Sequence, residues 1–125
     1  MTVAAKLLTW VLRLAFLAAL FLGVALWSGH GYSYLRLHMW IGFIATFALL
    51  LLVILGFVSR LRPALLFIAL LWAVALPLIG IAQLRILPGS NHWVIQTIHL
   101  ILGIGAIGLG EALSKRTLLR SSARA

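Results

Sequence analysis

Four histidines, His30, His38, His92 and His99, are the side chains best suited to chemistry in this 125-residue chain, which has no cysteine and a single carboxylate, Glu111. Two of them lie in apolar surroundings and are followed four residues later by glycine: His38 by Gly42, and His99 by Gly103. On a helix, positions four apart share one face. A neutral imidazole offers one ring nitrogen to a metal while the other donates a hydrogen bond. A glycine one turn along leaves room for a flat ring to approach the backbone. Two imidazoles on facing helices, each beside a small residue, are what a haem clamped inside a helical bundle requires. The expectation is therefore one haem b, with His38 and His99 as axial ligands to its iron and Gly42 and Gly103 beside them.

His30 and His92 fall nearer the ends of their apolar segments, where water can solvate them. They offer a second haem, a metal site or a proton-handling pair at the mouth of the first. A second haem stacked outside the first is cramped, since His92 and His99 are only about two helical turns apart. Pairing His92 with His38 would instead leave His99 as a distal residue. Small residues also let membrane helices pack closely without any cofactor, and imidazoles can serve only interhelical hydrogen bonds. That alternative describes a cofactor-free membrane subunit or assembly factor. A further alternative is a small-molecule or metal binder using His30 and His92.

Other chemistries are excluded. Without cysteine there is no disulfide, thiolate metal site, iron-sulfur ligation or CxxCH haem attachment. One glutamate supplies neither a carboxylate pair nor an ordinary Ser/His/Asp set. Gly103, Gly105, Gly108 and Gly110 lie within an apolar run and do not form a nucleotide loop.

The elements that must position the histidines follow from hydropathy. The chain is 65% hydrophobic and 9% charged, with a mean hydropathy of +1.22, which describes an integral membrane protein in contact with lipid. Apolar continuity predicts spans over about residues 6–27, 34–58, 63–84 and 91–113. Short connections make these one domain, 1–125: an all-α transmembrane four-helix bundle running up-down-up-down. The first run is too long for a signal-peptide core and contains Arg13, so it is read as a mature span. Arg13 is expected to snorkel to the interface. Pro63 starts the third helix, and Pro77 is expected to kink it. Ser90 or Asn91 caps the fourth, and residues 114–125 form a partly disordered cytoplasmic tail.

Interior faces also follow from spacing. His92, Gln96, His99, Gly103, Ala106 and Gly110 make one stripe on the fourth helix, and His38, Gly42, Ala45, Leu49, Leu52 and Gly56 one on the second. Ala69, Ala73, Leu76, Gly80 and Gln83 on the third and Gly23, Trp27 and His30 at the end of the first keep the same rhythm.

The formal net charge is +9. Lys6, Arg60, Arg62, Lys115, Arg116, Arg120 and Arg124 gather at the termini and in one loop. The positive-inside rule then puts both termini in the cytoplasm, in a bacterial inner membrane, and no nucleic-acid partner is implied. All four histidines fall in the outer half. Arg36 and Arg85 are the exceptions to the charge bias and lie near the histidines, so they are expected at the haem propionates, which a guanidinium fork suits. Glu111 is expected to pair with Lys115, one turn along.

With Leu37-His38-Met39-Trp40-Ile41-Gly42 and Ile98-His99-Leu100-Ile101-Leu102-Gly103 in a four-span chain, the sequence resembles the small bacterial membrane b-type cytochromes, the cytochrome b561-like group. The resemblance implies electron transfer between haem and a quinone or soluble partner, often through two haems on opposite sides of the membrane. This chain has no inner-half histidine, so it implies one haem near the outer face, exchanging electrons with quinol or a periplasmic redox protein. Whether that makes it a haem-dependent oxidoreductase or an electron carrier is left open, as is its oligomeric state.

Overall fold

A computed structural model describes residues 2–123. Met1, Arg124 and Ala125 lie outside it, and with them the Arg124 charge and the last two residues of the expected tail. Four helices make up the chain: α1 (Thr2–Trp27), α2 (Leu35–Val58), α3 (Pro63–Ala82) and α4 (His92–Ser122). Short 3-10 turns at Tyr32–Tyr34 and Gly89–Asn91 lead into α2 and α4. All four helices are long and apolar enough to cross a membrane, and no strand occurs among the described residues. The all-α four-helix bundle is thus as expected.

The helix ends follow local chemistry. Gly29 and Gly31 have φ of 79° and 80°, a left-handed conformation open to glycine, and turn the chain from α1 towards α2. At the end of α2, the Leu61 amide donates to the Gly56 carbonyl (3.0 Å) and the Arg60 amide to that of Phe57 (2.9 Å). This is a Schellman closure in which Arg60, at φ 53°, takes the place usually held by glycine, and Leu61 folds into the core at 6% exposure. Pro63 then opens α3, which continues past Pro77 to Ala82. Asn91 precedes α4 but makes no side-chain cap bond.

The tail is corrected by the structure: α4 does not stop near residue 113 but runs through Ser122. Leu113, Ser114 and Thr117 are buried there, so packing continues beyond the apolar segment. Arg120 also donates through one Nη to the carbonyl oxygens of Ser59 and Arg60, tying the end of α4 to the α2–α3 turn.

A second correction concerns Arg13 and Glu111. Glu111 pairs not with Lys115 but with Arg13, 98 positions away, through Nε–Oε1 (2.6 Å) and Nη2–Oε2 (2.9 Å). The two helices cross at this level, so a partner across the interface outcompetes one along the helix. The Arg13 guanidinium also lies 5.0 Å from the centre of the Trp10 ring.

Each helix packs on its sequence neighbours, α1 packs on α4, and α2 reaches across to α4, whereas among the described residues the α1 and α3 backbones stay apart. The pair α2–α4 is therefore the spine, flanked by α1 and α3. Towards the end that bears both chain termini, the terminal end, Leu12, Leu49, Leu52, Leu66 and Leu113 are sealed from the surface. Glycine permits this closeness: Gly110 receives Leu12, Gly56 receives Leu66, and Gly105 receives Trp72, whose Nε1–H donates to the Leu102 carbonyl at 2.8 Å. The opposite, histidine end is hollow.

Candidate functional site

The hollow is a cavity of about 230 Å³ walled by all four helices. Val24, Trp27, Tyr32, Phe43, Ile81 and Leu84 on its wall are also surface-exposed, so it is a slot reaching the surface and its volume does not bound the length of a ligand. Its lining is mainly apolar with a few polar groups, the ordinary make-up of a small-molecule or cofactor site.

His38 and His99 face each other in this slot, with ring centroids 6.1 Å apart and planes at 63°. α2 carries His38 about one turn from its start, and α1 fixes its orientation. The Nδ1 atom lies 3.0 Å from the Ala19 carbonyl oxygen. A carbonyl can only accept, so Nδ1 carries the proton and Nε2 keeps its lone pair. The ring rests on Gly23, where a Cβ would stand 3.3 Å from Cε1. α3 makes the equivalent place for His99: a Cβ on Gly80 would stand 2.9 Å from Cε1. His99 Nδ1 is buried with no hydrogen-bond partner. Neither Nε2 is hydrogen-bonded among the described residues, so both are free to bind a ligand.

Gly42 and Gly103 line the same slot. A Cβ on Gly42 would meet nothing within 4 Å, so its missing side chain adds to the open space, while one on Gly103 would stand 3.4 Å from the Phe16 ring. His92 is also on the wall, with Gln83, Gln96 and Tyr32. Ala106 and Gly110 continue the α4 stripe into the closed core, as do Leu49, Leu52 and Gly56 on α2.

The other three expected site residues are not on the wall. His30 is exposed past the end of α1, its Nδ1 3.3 Å from Ser28 Oγ. Arg36 and Arg85 are exposed at the histidine end. Spacing placed these residues at the correct end but did not fix which way they point.

Sequence reading missed Thr46, two turns beyond His38. Thr46 lines the slot and is 8% exposed, and its buried hydroxyl has no hydrogen-bond partner among the described residues. Gly80, placed by spacing on one face with Leu76 and Gln83, serves His99, which spacing alone does not reveal. The Ala19 carbonyl leaves no trace in the sequence.

This arrangement limits the chemistry. Among the described residues no group of three or more His, Cys, Asp or Glu side chains comes together. A bare divalent ion needs about four protein or water ligands. A group that brings its own equatorial donors needs only the two nitrogens present. Comparison with known proteins finds no matching family model, no matching curated protein and no matching solved structure.

Proposed function

We propose that the slot holds one haem b between His38 and His99, and that the protein is a single-haem membrane cytochrome resembling the cytochrome b561-like group. The observation that carries this reading is the facing pair. A metal bound at about 2 Å by one nitrogen of each imidazole puts the ring centroids roughly 6 Å apart, and these lie 6.1 Å apart. The orphaned His99 Nδ1 is compatible with ligation through Nε2, and the open space beside Gly42 suits a flat macrocycle.

When bound, the haem supplies one-electron chemistry at its iron. The protein's part is to hold it and set its surroundings. His38 would present Nε2 while the Ala19 carbonyl keeps the proton on Nδ1. His99 would offer a ring nitrogen from α4. Phe16 and the leucines and alanines of the wall exclude water, which favours the low-dielectric setting in which two neutral ligands tune a haem. Gln83, His92 and Gln96 offer donors to the propionates, with Arg36 and Arg85 as further partners at the same end. In this reading the termini are cytoplasmic, in a bacterial inner membrane, and the haem exchanges electrons with quinol or a periplasmic redox protein.

A second reading takes the same slot as the site of a small apolar molecule with a polar head, such as a quinone. Thr46 favours it, because a buried hydroxyl without a partner is costly and a ligand carbonyl would accept from it.

Adding haemin to the purified protein in detergent and recording oxidised and reduced spectra tests the proposal. A low-spin spectrum that is lost or converted in both His38→Ala and His99→Ala supports it. A protein that stays colourless after haemin addition overturns it, and binding of a soluble quinone by that protein supports the second reading.

A further inference from the structure

A second concavity, of about 480 Å³, lies at the terminal end between α1 and α4. Lys6, Trp10 and Arg13 on α1 face Glu111, Ser114 and Lys115 on α4, so three cations stand against one carboxylate. We propose that this groove binds the headgroup of an anionic phospholipid, whose chains lie along the lipid-facing sides of α1 and α4.

Depth gives the first argument. A hydrocarbon span takes about 20 residues. Counted from Trp27 on α1 and Trp93 on α4, it reaches Leu7 and Leu113, so Arg13 and Glu111 lie inside the apolar zone. Their side chains are 39% and 42% exposed there. Hydrocarbon cannot solvate the open side of an ion pair, and a polar group drawn into the groove can.

Donor geometry gives the second. Arg13 spends Nε and Nη2 on Glu111 and is braced by the Trp10 ring, leaving Nη1 without a partner among the described residues. This is a fixed donor of the type that suits phosphate. Glu111 repels an anion, but Arg13 neutralises it. The excess comes from Lys6 and Lys115, neither of which has an ion-pair partner among the described residues. Lys6 lies about 10 Å from Arg13 along α1, and Lys115 about 6 Å from Glu111 along α4, both towards the terminal end. They flank the groove where a phosphate of that leaflet would enter. A zwitterionic headgroup brings its own cation and gains less from this excess.

The full chain, purified in detergent with equal phosphatidylglycerol and phosphatidylcholine, tests this by native mass spectrometry of the bound lipid. The expected result is a clear preference for phosphatidylglycerol. About fivefold per cation is expected, so Lys6→Gln with Lys115→Gln lowers the preference by about 25-fold. Arg62→Gln with Arg116→Gln removes the same charge from the same end outside the groove and keeps it. No preference in the wild-type protein, or an equal loss in both double variants, would overturn the proposal.

Discussion

The imidazole of His99 lies against Gly80: a methyl group on that glycine would stand 2.9 Å from Cε1 and 3.5 Å from Nδ1. α3 thus determines where the imidazole on α4 can point. Gly80→Ala is expected to push the ring aside at about 1–3 kcal/mol, the ordinary range for overpacking. In haemin-loaded protein the low-spin spectrum should be lost while helix content stays. Gly108→Ala, at a position with nothing within 4 Å, is the matched control and should leave both unchanged.

Gly42 separates folding from loading. Its missing Cβ faces empty space, so Gly42→Leu fills part of the slot without meeting a neighbour at the Cβ. The empty protein should unfold at or above the wild-type denaturant concentration, while haemin uptake falls at least tenfold. Unchanged uptake would mean that the macrocycle does not pass beside α2.

The Arg13–Glu111 pair should matter to stability and leave the spectrum alone. Arg13→Gln leaves the Glu111 carboxylate without its partner and should lower the unfolding midpoint. Exchanging the two, Arg13→Glu with Glu111→Arg, should recover most of the loss. Unfolding in detergent, followed by circular dichroism, measures both.

Arg60 offers a gain. A non-glycine residue in the left-handed region costs roughly 1–2 kcal/mol, and Arg60 sits at φ 53°. Arg60→Gly keeps the backbone carbonyl that receives Arg120 and should raise stability by about 1 kcal/mol after the entropy lost by glycine. A shift of the unfolding midpoint to higher denaturant is the expected observation.

The interior stripes were legible because helical spacing and burial share one period: His38, Gly42 and Ala45, like His92, Gln96, His99 and Gly103, all line the slot. The juxtaposition of His38 and His99 followed from two helices starting at the same end. Contacts between distant segments were not legible. Arg13 and Glu111 meet only because α1 and α4 cross there, and Lys115 offered a nearer partner along the chain. The helical tail was obscured because Arg116 and Arg120 interrupt hydropathy although Leu113 and Thr117 are buried. Arg36 and Arg85 lie at the end expected of them, but periodicity gives no direction to long side chains beyond the membrane edge.

Because the α1 and α3 backbones stay apart, the slot is bounded by two separate walls, each leaning on the same central pair of helices. The leucines sealed at the far end join all four helices, so the packing that holds the bundle together lies largely outside the slot.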